Sequence, residues 1–116
     1  MSTDRELLEA AAKAAGITIY KSGQAERDES GHGDVGLWVH GSTCWNPLRD
    51  DGDALRLAVK LRLAITPIPG NGRDGPLTNV CRIEGEVITD VFEDGYSAAV
   101  WRRAIVRAAA AIGEAA

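Results

Sequence analysis

Three aspartates, Asp50, Asp51 and Asp53, crowd into four residues directly after the tripeptide Trp45-Asn46-Pro47. Carboxylates this close can work as general acid and base, or hold a hard cation through oxygen. A calcium loop of the EF-hand kind needs a glutamate six residues beyond its glycine. Position 58, six beyond Gly52, is alanine. A general base also needs a hydrogen-bonding partner in reach, and no His or Cys pattern stands nearby. The same residues fit the start of a helix. Asn46 precedes a proline and is pushed towards extended backbone, and Pro47 opens a turn. Asp50 takes the N-cap with Asp53 three residues on, where acids meet free N–H groups and the positive end of the helix dipole. Trp45 is large enough to pack beneath the first turn. Trp45, Asn46, Pro47 and Asp50 therefore read as structural, and no catalytic residue is assigned.

His32, Asp34 and His40 form a second polar set, and histidine exchanges protons near neutral pH. Their spacing, in a glycine-rich loop and the strand after it, matches no standard zinc pattern. No metal and no cofactor is expected. A small-molecule or enzymatic role beside the 21–35 loop ranks last among the functions weighed, and the chain is expected not to be an enzyme. Cys44 and Cys81 lack CxxC spacing and are expected to be reduced.

The elements that must position these residues follow from periodicity. Thr3-Asp4-Arg5-Glu6 is a capping box. It leads into Leu7, Leu8, Ala11, Ala12 and Ala15, the apolar face of a helix over 4–15 that Gly16 ends. Residues 17–20 alternate as a strand. Residues 21–36, KSGQAERDESGHGDVG, read as a long polar loop, and 36–40 as a second strand. A helix runs from Asp53, with Ala54, Leu57, Ala58 and Leu61 inward and Leu55 and Val59 widening that face. Residues 63–68 form a strand, placed at an edge or strand end by Pro67. A hairpin follows over 80–83 and 86–92, pivoting near Gly85. The last helix covers 97–112, with Trp101, Ile105, Ala108 and Ile112 as its inner stripe and Ala104 and Ala111 allowing close approach. The order α-β-β-α-β-β-β-α predicts an α+β layered sandwich of α/β/α type around a small, mainly antiparallel sheet.

Bulk properties set the frame. The 116 residues suit one domain, 1–116, and 45% apolar with 26% charged residues is ordinary for a folded globular chain. No apolar run approaches the ~20 residues that cross a bilayer. The opening MSTDRELLEA has no apolar signal core. A cytoplasmic protein with no membrane partner is expected. The net charge of −4 argues against general affinity for a polyanion, although Arg102, Arg103 and Arg107 concentrate positive charge on the last helix.

The block W-N-P-x-x-D-x-x-x-A, at Trp45, Asn46, Pro47, Asp50 and Ala54, resembles the phage ABA sandwich domain proteins. The opening RELLEAAAKAAGI and the closing AAVWRRAIVRAAAAIG resemble the ends of such proteins. The likeness spans nearly the whole chain, with variation in the loops at 21–35 and 69–77. It implies an α/β/α-type sandwich and a phage or prophage origin in a bacterial host, and it transfers no catalytic residue. The absence of a nucleophile–base pair, a glycine-rich phosphate loop or a metal spacing, together with the long polar loop, points to a noncatalytic accessory protein that binds a host or phage protein. Trp38 and Trp45 could anchor that interface or be core, and Trp38, His40 and the three arginines are the binding candidates. Aromatic side chains dominate interface energies. The alternative is nucleic-acid binding through Arg102, Arg103 and Arg107. From Asp53 onward the order α-β-β-β-α resembles the topology of a double-stranded RNA-binding domain, but the lysine cluster expected at the last helix is absent. A homo-oligomer is a further expectation, because an edge strand or the flank of the last helix could be covered by a second copy.

Overall fold

In the computed structural model, which describes residues 3–31, 36–39, 43–68, 80–85, 91–94 and 97–115, helix α1 spans Asp4–Ala15 and starts as the sequence predicts. The Thr3 hydroxyl accepts from the Glu6 backbone N–H at 3.1 Å, and Glu6 accepts in return from the Thr3 backbone at 3.1 Å. At the other end Gly16 takes φ 71°, with its N–H on the Lys13 carbonyl and that of Ile17 on the Ala12 carbonyl. This is a Schellman ending, which favours glycine because the left-handed region crowds a Cβ.

The segment expected to be a loop is a helix, α2 (Lys21–Glu29). Its side chains have no apolar periodicity, so nothing in the hydrophobic pattern marks it. It forms because neighbours hold it. Gly23 lies flat against the Trp38 and Tyr20 rings, and Gln24 is buried. The strand expected over 17–20 contracts to one bridge, Ile19 to Val39. Strand β1 (Leu37–Val39) pairs antiparallel with β2 (Thr43–Trp45), a strand the sequence reading did not anticipate. His32, Asp34 and His40 lie outside the described residues, as does the 69–77 loop.

Helix α3 (Asp51–Lys60) is capped by Asp50 as expected, with the Asp53 N–H donating to the Asp50 carboxylate at 2.7 Å. Ala54, Leu57 and Ala58 are buried, but Leu55 and Val59 are exposed. They do not widen the inner face: Arg56 and Lys60 flank one side of it, and Leu55 and Val59 turn outward.

Strands β3 (Ala64–Ile68), β4 (Val80–Glu84) and β5 (Val91–Asp94) form an antiparallel sheet in the order β3-β4-β5. Pro67 sits on β3, at the edge of this sheet among the described residues, as a residue that cannot donate to the ladder requires. The hairpin partner of β4 begins at Val91, and 86–90 lie outside the described residues. Helix α4 (Ala98–Ala115) runs past the expected end at 112. The Ser97 hydroxyl accepts from the Val100 N–H at 3.2 Å.

The class is α+β; among the described residues every strand pair is antiparallel, the strands divide between two sheets, and there are four helices where three were expected. Helix α4 is the hub, packing on α1, α3, β4 and β5. Its burial therefore exceeds one stripe: Ala104, Ile105, Val106, Ala108, Ala109 and Ala110 are all buried, while Trp101 and Ile112 are half-buried. Small side chains bring α1 and α4 close. Gly113 is buried so tightly that a Cβ would run into the Ala10 carbonyl.

Candidate functional site

The stretch that first invited a catalytic reading is a closed structural corner. Trp45 and Asn46 are each 7% exposed, and Pro47 is fully buried. The Asn46 side-chain oxygen accepts from the Leu48 N–H at 3.1 Å, and the Asn46 N–H donates to Asp53 at 2.9 Å. The Asn46 carbonyl accepts from both Arg49 and Asp50. Asp53 also takes the Arg56 guanidinium at 2.7 Å. Asp50 and Asp53 thus spend their oxygens on the first turn of α3. Among the described residues, no three His, Cys, Asp or Glu side chains gather as ligands for a metal.

The arginines of α4 are each turned to an internal acid. Arg102 donates through Nε to the Leu48 carbonyl at 2.9 Å and through NH1 to Asp51 at 2.6 Å. Arg103 meets Asp4 at 3.3 Å and Glu93 at 3.7 Å, and Arg107 meets Glu93 at 2.7 Å. A guanidinium held by a carboxylate contributes less to a phosphate contact, since that anion must first be displaced.

Trp38 lies on a different face, half-buried in β1. Its backbone N–H donates to the Gln24 side-chain oxygen at 2.6 Å, and its carbonyl accepts from the Tyr20 N–H at 2.8 Å. The Arg27 guanidinium stacks over the indole at 3.8 Å from the ring centroid, a cation–π contact. Tyr20 is 49% exposed beside it, and both rings converge on Gly23. Behind this face Gln24 donates to Asp28 at 3.0 Å, Asp28 takes both arms of Arg5 at 3.1 and 3.2 Å, and Arg5 also holds Glu9. The Arg5 hydrogen bond, helped by Gln24, keeps the Asp28 carboxyl below the usual carboxylate range. A cleft of about 270 Å³ opens between α1 and α2, lined by Arg5, Glu9, Ile19, Lys21, Gln24, Ala25 and Asp28.

Cys44 carries a thiol, and burial pushes its pKa up, away from the thiolate that nucleophilic chemistry requires.

Of the binding candidates read from sequence, Trp38 alone stands in this face. The three arginines lie on α4, and His40 is outside the described residues. Gln24 and Arg27 were missed because the segment carrying them read as loop, and Tyr20 because it read as the end of a short strand. The spacing of Gln24 and Asp28, four apart as on one helix face, was the available signal.

No protein-family model matches the chain, and neither the curated proteins nor the solved structures contain a match. No helix among the described residues is long and apolar enough to cross a membrane.

Proposed function

We propose that this chain is a noncatalytic binding protein, an accessory protein of the phage ABA sandwich type acting in the cytoplasm of a bacterial host. It takes a protein partner on the face built from Tyr20, Arg27 and Trp38. The observation that carries this reading is the Arg27 guanidinium stacked on the half-buried Trp38 indole beside an exposed Tyr20. Trp, Tyr and Arg are the side chains that most often dominate binding energy at protein interfaces. Stacking holds Arg27 in place before any partner arrives, which lowers the entropy lost on association. The polar chain from Gln24 through Asp28 to Arg5 ties α2 to α1 and keeps the face rigid. The α/β/α layering belongs to the same proposal.

The test is affinity capture of the tagged protein from host cells, with nuclease treatment, comparing the natural chain with Tyr20→Ala and Arg27→Ala. A stoichiometric, nuclease-resistant protein whose binding weakens about tenfold or more in either variant is the expected result. Equal recovery by all three chains removes the face from consideration. Recovery of nucleic acid, lost on nuclease treatment and in Arg103→Ala/Arg107→Ala, replaces this reading with the nucleic-acid one.

A further inference from the structure

Among the described residues, the arginines Arg5, Arg56, Arg102, Arg103 and Arg107 are spent on acids of the same chain, each meeting a carboxylate at between 2.6 and 3.3 Å. Arg27 is different. Its guanidinium lies 3.8 Å from the Trp38 ring centroid, yet among the described residues that guanidinium makes no ion pair and no hydrogen bond. Arg49 is also without an acid there, but no ring orients it. The acids beside Arg27 in the sequence are not turned to it. Asp28 is taken by Arg5 and Gln24. Glu26 and Glu29 are exposed and stand about 100° and 200° round the helix from Arg27, off the side on which Gly23 and Arg27 meet the Trp38 ring.

Stacking does not use up a guanidinium. The flat face goes to the ring, while the five N–H donors stay in the plane, at the rim of the stack. Two more donors stand close by. The Trp38 and Tyr20 rings converge on Gly23, where an added Cβ would come within 2.8 Å of the indole Nε1 and 2.7 Å of the phenol ring. Neither the Trp38 Nε1–H nor the Tyr20 hydroxyl has a hydrogen-bond partner among the described residues. This face therefore presents side-chain donors and one fixed positive charge, with no carboxylate of its own to answer them.

We propose that the protein partner supplies this carboxylate: an aspartate or glutamate side chain that pairs with the Arg27 fork through two parallel hydrogen bonds, in the plane of the stack. The inference rests on the reading of the Tyr20, Arg27 and Trp38 face as a protein-binding face, and it names what that face recognises. Guanidinium and carboxylate match in shape, and a bidentate pair between them is both strong and directional. The indole keeps water from one side of the pair, which strengthens the attraction. A carboxylate suits the face better than a phosphate, because phosphate motifs are read by clusters of arginines and here a single fork is offered.

The probe is a displayed library of random peptides, selected on the full natural chain and then measured against Tyr20→Ala, Arg27→Gln and Arg27→Lys. The natural chain should enrich peptides with an acid at one fixed position, and both Arg27 variants should bind them about tenfold more weakly. Lysine fails with glutamine because it keeps the charge without the fork. Changing the peptide's acid to its amide should weaken binding to the natural chain about tenfold and to Arg27→Gln hardly at all, as a direct pairing requires. The peptide change is read on the natural chain, so it decides the matter even where a variant folds poorly. Peptides that need Tyr20, carry no fixed acid and tolerate Arg27→Gln overturn the carboxylate pairing while the face stands as a binding site. Full binding by Arg27→Lys overturns the bidentate pairing too. Enrichment of no peptide that depends on Tyr20 or Arg27 overturns both the pairing and the face.

Discussion

Arg102 and Leu48, fifty-four positions apart in the chain, are joined by a hydrogen bond of 2.9 Å from the Arg102 Nε to the Leu48 carbonyl. The bond clamps the turn before α3 onto α4, and the second arm of the same guanidinium reaches Asp51. The Arg102 side chain is only 19% exposed, whereas Asp51 is 78% exposed. The carbonyl contact therefore matters more than the ion pair. Replacing Arg102 by Ala should cost about 2 kcal/mol, as for other charged hydrogen bonds. Asp51→Ala should cost under about 1 kcal/mol. Urea unfolding of both variants checks the ranking. Equal losses would mean that the ion pair, not the carbonyl bond, holds the corner.

Asp50 separates capping from chemistry. Asp50→Ala should lose about 1 kcal/mol, while Asp50→Asn should lose almost nothing, since Asn caps a helix as well as Asp. Chemical denaturation measures both. A large loss in the Asn variant would show that the charge, beyond the hydrogen bond to Asp53, is required.

Gly113 invites a naive expectation that fails on magnitude. Helix propensity alone predicts that Gly113→Ala gains about 1 kcal/mol. The added methyl would meet the Ala10 backbone carbonyl on α1, and backbone cannot swing aside as a side chain can. Overpacking of this kind costs about 1–3 kcal/mol. The net effect should be destabilising, read as a lower melting midpoint. A midpoint that rises would mean that α1 and α4 separate easily.

Acid should weaken the fold through Asp28 and Glu6. The Arg5 hydrogen bond, then Gln24, lowers the Asp28 carboxyl below its ordinary value, and the backbone N–H of Thr3 lowers Glu6. A carboxylate with a depressed folded-state pKa adds stability above its unfolded value, near about pH 4. That stability is lost as the pH falls through the folded value. Melting midpoints of the natural chain should drop across that window, and less steeply in Asp28→Asn. Identical slopes would remove Asp28 from the account.

Much of the fold was legible where local chemistry repeats the tertiary answer. The capping box at Thr3 and Glu6, the glycine ending at Gly16 and the Asp50 cap are short-range hydrogen-bond patterns, so residue type and spacing suffice. Pro67 announced its edge strand because a proline cannot donate to a ladder and is therefore confined to edges and strand ends. Helix α2 was hidden because its residues have almost no apolar periodicity, and its stability comes from Trp38, Tyr20 and Arg5, all outside the helix. Strand β2 was hidden because Thr43–Trp45 is only three residues long, too short to show an alternation before the Asn-Pro turn.

By itself, the sequence determined the α+β class, the caps of α1 and α3, the inward face of α1 and the Ala54, Leu57 and Ala58 stripe of α3, because each rests on residue types a few positions apart. Tertiary structure alone decided that Arg102 is a clamp, that Arg27 lies on Trp38, and that Leu55 and Val59 face water. A guanidinium finds its partner across tens of residues, and an apolar residue on a helix flank is buried only if another element reaches it. No spacing along the chain encodes either distance.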